Sequence, residues 1–253
     1  MKYVSKIINV VQQDGIFALF RKVPGAVIWR ISMVKFLTTP YFDYWFDLKY
    51  GVDTCRMMIH DDANDTSDIG PGNKTAVRYE PTPVNALRSI LKKLRIDHSE
   101  FTFIDYGSGK GRALLLASEH PFKKIIGVEL SKKLHEIAEN NIKKWTCSNQ
   151  ICTDITSCNT DAIEFKLPNE PLVIFFFTPF LGNVKESVIR NIQESFSSCP
   201  RPLHIVYYGS RQDFIESLND MNINHQEIYS EHPLSATGKY KGHLFSFNNI
   251  NPS

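Results

Sequence analysis

From residue 79 onward, short apolar runs alternate with stretches in which apolar residues recur every three or four positions. The first period suits strands buried in a sheet and the second suits helices with one apolar face. Thr82-Pro83 predicts a helix start, a capping hydroxyl followed by proline at the first helical position. Val84, Leu87, Ile90, Leu91 and Leu94 then form one face. A strand is predicted at Phe101–Tyr106, a Gly-rich turn at 107–111 and a helix at about 112–119. A second strand follows at Ile125–Glu129. Ser131 caps a helix carrying Leu134, Ile137, Ala138 and Ile142, and a short strand lies near Ile155–Cys158. Leu172 to Phe177 is an unbroken apolar run, which predicts a central strand buried on both faces. Val184, Val188, Ile189, Ile192 and Phe196 mark the next helix, and His204–Tyr208 the next strand. Ile223–Tyr229 and His243–Phe247 follow with no helix between them, which predicts a hairpin at the sheet edge. This alternation is that of an α/β fold: a mainly parallel sheet with helices on both faces. In such sheets ligands bind at the carboxyl ends of the strands.

Residues 1–78 read differently. Ile16, Phe17, Phe20, Val23, Val27, Ile28, Ile31, Val34 and Leu37 recur at helical spacing, with Arg21, Lys22, Arg30 and Lys35 between them. A spanning helix needs about 20 mainly apolar residues, so the segment predicts no membrane crossing and no cleavable signal. Two readings stay open. A basic amphipathic helix can lie on an anionic membrane surface, or it can pack on the body with its basic face in water. Tyr41 to Phe46 predicts a buried aromatic strap. His60 to Asn73 reads as a solvated acidic loop, because Asp61, Asp62, Asp65 and Asp68 lack the glycine and closing glutamate of a calcium loop. The expected organisation is therefore a helical and aromatic arm over 1–78 and a ligand-binding domain over 79–253.

Charge sharpens that division. The 253 residues carry a formal net charge of +2, yet residues 1–40 alone sum to +5, leaving about −3 on the rest. A dedicated nucleic-acid binder would carry a domain pI above about 9; here the pI is near 8.2. The five cysteines are odd in number and form no C-x-x-C pair. That fits a reducing, cytoplasmic setting, with membrane association through residues 16–37 as the variant, and predicts no metal site.

The chemistry concentrates at the strand ends. Asp105-Tyr106-Gly107-Ser108-Gly109-Lys110-Gly111 follows a predicted strand and opens a helix. Glycines there allow a sharp turn and a close ligand approach, and the turn offers free amide donors. A dinucleotide site wants a third small residue at position 112, which is Arg112. A pyrophosphate would be repelled by Asp105, whereas a ligand with an amine and a sulfonium would not. Glu129 ends the second strand 18 residues beyond Gly111, where a carboxylate can accept both ribose hydroxyls of an adenosine. Asp161 follows the third strand and can accept an adenine amino group. Thr178-Pro179-Phe180 leaves the buried strand and places a polar group and an aromatic at its mouth. No Ser/His/Asp or Cys/His nucleophile arrangement is legible.

This order of motifs resembles the class I S-adenosylmethionine (SAM) dependent methyltransferases. The resemblance implies a Rossmann-like seven-strand sheet and SAM as cofactor, with Asp105, Gly107, Ser108, Gly109, Gly111, Glu129 and Asp161 at the cofactor. A closer resemblance is to the non-SET lysine methyltransferases of the telomeric-silencing disruptor type. It is carried by Tyr79-Glu80-Pro81-Thr82, Asp105-Tyr106-Gly107-Ser108-Gly109 and the strand exit at Phe180, over roughly residues 79–200. It implies that Tyr79 and Thr82 reach the cofactor from the loop before the first helix. With Gly51-Val52-Asp53-Thr54 and Arg78 to Pro83 included, the chain is similar to uncharacterised bacterial relatives of that family. Those families usually place Asn where this chain has Thr178, and their nucleosome-binding basic tail has no counterpart after residue 200. The expected activity is methyl transfer to an unidentified acceptor, a protein lysine, another amine or a small molecule. Thr178 and Phe180 are the candidates for positioning the acceptor, and Glu80 is a candidate for a polar or basic role. The alternative is a SAM-binding module without catalysis that docks to a membrane or a partner through the basic helix.

Overall fold

A computed structural model describes residues 44–55, 79–177, 182–221, 223–230 and 240–247. The basic segment 16–37, the acidic loop at 60–73, Thr178 and Phe180 lie outside these residues.

In chain order the described elements begin with helix α1 over residues 44–50. Helix α2 (Val84–Lys93) and a 3-10 turn (His98–Glu100) lead into strand β1 (Thr102–Tyr106). Helix α3 (Arg112–Ala117), β2 (Lys124–Glu129), α4 (Lys132–Lys144), β3 (Ile155–Asn159) and β4 (Leu172–Phe177) follow. The chain then runs through α5 (Asn183–Ser198), β5 (Leu203–Gly209), α6 (Gln212–Asn219), β6 (Asn224–Ser230) and β7 (Lys241–Ser246).

The seven strands form one sheet in the order β3-β2-β1-β4-β5-β7-β6. The first five are parallel to one another, and β7 runs antiparallel to both β5 and β6. The late strands form the expected hairpin, but its second strand is the inner one: β7 pairs with β5 and leaves β6 at the edge. Strand β4 pairs with β1 on one side and β5 on the other, and Leu172 to Phe176 are fully buried. That is why its sequence shows no alternation.

Two apolar layers sandwich the sheet. On one face Leu87, Ile90 and Leu91 of α2 and Leu114 to Ala117 of α3 pack on Phe103, Val173, Phe175 and Val206. On the other, Val188, Ile189 and Ile192 of α5 and Phe214, Ile215 and Leu218 of α6 pack on Ile104, Tyr106, Ile174, Phe176 and Ile205. The two-residue strand period sends Phe103 and Asp105 to the α2–α3 side and Ile104 and Tyr106 to the other. Asp105 therefore belongs to the layer that also holds the Gly-rich turn.

Three local expectations change. Pro83, not Thr82, flanks the start of α2, and no side chain caps it. Thr82 is instead buried in the loop. Of the aromatic strap, residues 41–43 lie outside the described residues; Phe46 is buried, whereas Tyr44 and Trp45 are 57% and 50% exposed. Helix α6, unanticipated from the sequence, is a short helix whose Phe214, Ile215 and Leu218 are buried against the sheet. Ser131 does cap α4, its hydroxyl accepting from the Leu134 amide.

Candidate functional site

The Gly-rich turn joins β1 to α3. Gly107, Gly109 and Gly111 have φ of 81°, 53° and 82°, a region that side chains disfavour. The amides of Gly107 and Ser108 donate to the Val128 carbonyl, and the Gly111 amide donates to the Ser108 carbonyl. The turn is thus stitched to the carboxyl end of β2. At Gly109 there is a second constraint. A Cβ there would lie 2.3 Å from Cε2 of Tyr79, because the tyrosine ring rests directly on the glycine.

Two carboxylates stand at the ends of the adjacent strands. Asp105 is buried and has no hydrogen-bond partner among the described residues. Burial, and then the charge of Glu129, push its carboxyl up to about 8. Glu129 is also buried. It accepts the Gly109 amide at 2.7 Å and the Ser131 amide at 2.8 Å. Burial raises its carboxyl, and those amides oppose the rise. Leaving one carboxylate unpaired in this cradle is costly unless a proton or a cation joins it.

The cations of the turn are engaged elsewhere. The Lys110 ammonium, fully buried, pairs with Asp53 at 2.9 Å. Arg112 donates from Nε to the Thr54 hydroxyl at 2.7 Å. The cradle therefore presents two carboxylates beside a glycine turn whose Gly107, Ser108, Gly109 and Gly111 amides are already bonded within the chain. That donor set fits a ligand bringing an ammonium, a sulfonium and ribose hydroxyls, and it does not fit a pyrophosphate.

Other candidate residues are distributed around it. Tyr79 donates its hydroxyl to the Thr54 carbonyl at 2.7 Å, and burial raises its phenol far above the ordinary range. Thr82 is buried and lends its carbonyl to Arg112. The Ser108 hydroxyl packs beneath the turn, where a Cβ on Gly127 would meet it at 2.7 Å. Its side chain is directed at β2, so its contribution at the turn is its backbone. Asp161 follows β3 and accepts the Ile163 amide at 2.8 Å, half-exposed beside the Glu129 end of the sheet. Glu80 is exposed and accepts from the Tyr240 hydroxyl at 3.4 Å. Thr178 and Phe180 lie outside the described residues. Phe177, the last residue of β4, stacks on Tyr208 at 5.3 Å, and Tyr240 meets both edge-on. These three rings, with Glu80 at their rim, wall the strand mouth. Sequence reading misses the wall because Tyr208 and Tyr240 lie 31 and 63 residues beyond Phe177.

The sheet order is that of the class I SAM-dependent methyltransferases. Residues 58–155 match the family described as Histone methylation protein DOT1. The match spans the loop before α2, the Gly-rich turn and the first two strands, and it ends at the first residue of β3. No curated protein matches the chain. Among solved structures, precorrin-6y C5,15-methyltransferase from Geobacter metallireducens GS-15 is similar at 17% identity, covering 65% of this chain and 88% of its own, with a TM-score of 0.48. An RNA methyltransferase from Salinibacter ruber, in complex with S-adenosyl-L-homocysteine, is similar at 16% identity over 68% and 95% of the chains, with a TM-score of 0.44. Geranyl diphosphate C-methyltransferase from Streptomyces coelicolor A3(2) is similar at 9% identity over 66% and 78%, with a TM-score of 0.47.

Among the described residues no helix is long and apolar enough to cross a membrane, and no group of three or more His, Cys, Asp or Glu is placed to hold a metal ion.

A ligand ammonium bound at Asp105 would make binding a proton-linked event. Burial pushes the Asp105 carboxyl up to about 8, and a ligand ammonium favours its ionised form. Calorimetry with SAM near about pH 6.5, in buffers of different ionisation enthalpy, will show release of close to one proton per ligand. Affinity will rise with pH over the same interval. A buffer-independent enthalpy would contradict the assignment.

Proposed function

We propose that the chain binds S-adenosyl-L-methionine across the turn and transfers its methyl group to an amine, a protein lysine or a smaller amine. The observation that carries the reading is the pair of buried carboxylates at the ends of β1 and β2, both raised in pKa and neither neutralised by the turn's own cations. Bound there, the cofactor supplies an electrophilic methyl group on a sulfonium.

Each residue then has a distinct task. Asp105 receives the ammonium of the methionine end. Glu129 takes the ribose hydroxyls, exchanging part of its backbone bonding for them. Asp161 receives the adenine amino group. Gly107, Gly109 and Gly111 let the backbone approach the ligand, and Ser108 holds the turn to β2. Tyr79 closes the turn from above and Thr82 borders the same loop. In-line displacement needs alignment and the exclusion of water more than it needs a proton shuttle. The apolar wall of Phe177, Tyr208 and Tyr240 supports that role at the strand mouth, and Thr178 and Phe180, next in the sequence, are the candidates for positioning the acceptor. An amine must arrive deprotonated, and a desolvating wall lowers its pKa. Glu80, at the rim, is placed to accept a proton or to orient the amine.

Asp105→Asn and Glu129→Gln test the assignment. Each will weaken SAM binding by about 1–3 kcal/mol, the loss of a charge-assisted hydrogen bond, with the fold retained in circular dichroism. Unchanged affinity in both variants, or no SAM binding by the folded native chain, would overturn it. Transfer of labelled methyl to lysine peptides, compared with small amines and hydroxyl compounds, will distinguish the acceptor class.

A second reading has one observation in its favour. Tyr44, Trp45 and Leu48 expose an apolar, aromatic face on α1, and the sequence before it is basic. Aromatic residues of this kind sit at membrane interfaces, and basic segments favour anionic lipid. On this reading the arm docks the chain to a membrane surface. Flotation with phosphatidylglycerol vesicles will retain the native chain and lose Trp45→Ser/Leu48→Ser. Equal recovery of both proteins would remove the reading.

A further inference from the structure

Arg112 occupies a position where a charge is doubly unfavourable. Its side chain is 1% exposed, and a buried guanidinium costs several kcal/mol unless paired. It is also the first residue of α3, the end of a helix at which positive charge is disfavoured. An apolar residue would pack on this face of the sheet as Leu114 and Leu115 do.

The contacts of Arg112 with two segments outside the turn show what offsets that cost. Nε donates to the Thr54 hydroxyl at 2.7 Å. One terminal nitrogen reaches the Thr82 carbonyl at 3.5 Å, and the other lies 3.6 Å from the Asp47 carboxylate. The guanidinium sits 5.4 Å from the centre of the Phe46 ring. Asp47 in turn gathers the segment that follows it, residues 47–55, which continues the strap: its carboxylate accepts the amides of Thr54 and Cys55 at 2.6 Å and the Thr54 hydroxyl as well. The Thr54 hydroxyl thus accepts from Arg112 and donates to Asp47, using both its acceptor and its donor capacity. Asn141 of α4 clamps the next residue back, accepting the Asp53 amide and donating to the Asp53 carbonyl, each at 2.9 Å. The same side-chain nitrogen reaches the Lys110 carbonyl at 2.9 Å.

The network ends at the site. The Thr54 carbonyl is the acceptor of the Tyr79 hydroxyl, and the Tyr79 ring is the surface that rests on Gly109. A tyrosine ring on a loop can exchange between rotamers unless both its face and its hydroxyl are held. Gly109 holds the face and the strap holds the hydroxyl.

We infer that Asp47, Thr54 and Arg112 are positioning residues that fix Tyr79 over the Gly-rich turn, so that side chains touching no ligand set the affinity for the cofactor. The inference rests on the SAM reading of the turn. It assigns a function to the Gly51 to Thr54 segment: it is the latch of the cofactor site, and Arg112 is the post to which it is fastened.

A double-mutant cycle on the full-length chain tests this, with SAM dissociation constants from calorimetry. Tyr79→Phe removes only the hydroxyl that meets the strap. Thr54→Val keeps the shape of Thr54 and removes its hydroxyl. Each is expected to raise Kd about tenfold, and the double variant is expected to raise it about tenfold as well, because both cut one connection. Thr54→Ser, which keeps the hydroxyl, will restore the native Kd. If Thr54→Val does not fold, Arg112→Lys, which keeps the charge and loses the fork, takes its place in the cycle. A folded Thr54→Val with native Kd, or a double variant whose Kd rises about a hundredfold, would overturn the inference. Absence of SAM binding by the native chain would overturn the reading beneath it.

Discussion

Burying Asp105 and Glu129 at neighbouring strand ends costs free energy that the empty chain recovers only in part. Glu129 is partly compensated by two amides. Burial pushes the Asp105 carboxyl up to about 8, which favours its protonated form near neutral pH. On the proposed reading, a carboxylic acid kept in this state is a binding group held in reserve: an arriving cation would displace the proton and restore the charge. Much of the surrounding architecture follows from that arrangement. The parallel register puts Asp105 beside Gly127 and leaves Glu129 just beyond the last register pair of β1 and β2. Gly127, without a Cβ, leaves the space in which Ser108 and Leu114 pack, so the turn can sit low against β2.

The second constraint is that the cradle is finished by chain from outside the sheet. The turn supplies glycines, and its cations point away from the acids and toward residues 53 and 54. On the proposed reading, this separation of charge keeps the site open to a cationic ligand. Were Lys110 or Arg112 to fold back onto Asp105, the acid would be neutralised internally and the incentive to bind an ammonium would be lost. Asp53 and Asp47 draw the two cations off, and in doing so they tie residues 44–55 to the turn and to α3. The helix that carries Asp47 also exposes Tyr44, Trp45 and Leu48 on its outer side, so one short element joins the molecular surface to the floor of the site.

Much of the fold is legible in the chain because strand burial leaves a local record. The run from Leu172 to Phe177 marks the central strand, and the alternation from residue 79 onward marks the parallel sheet. The helix over Gln212–Asn219 leaves little trace because eight residues offer barely two turns of periodicity. The start of α2 shifts by one residue, with Pro83 at the flanking position and Thr82 buried in the loop. At the site, Asp105, Glu129 and the glycines are visible because they follow strands at fixed offsets. The network of Asp47, Thr54 and Arg112 is not, since Thr54 lies 7 residues from Asp47 and 58 from Arg112 and no local pattern encodes their meeting. In the sequence Arg112 is only a residue too large for a dinucleotide turn; its positive role depends on tertiary contacts. The same holds for the aromatic wall, whose three rings come from separate strands and a loop.

A crystal structure of the chain grown with S-adenosyl-L-homocysteine tests the central claim most directly. The account predicts the ribose hydroxyls on Glu129, the amino group on Asp105 and the Tyr79 hydroxyl still on the Thr54 carbonyl. Density for the ligand away from the two carboxylates, or a cradle in which Glu129 still meets only Gly109 and Ser131 at saturating ligand, would contradict it.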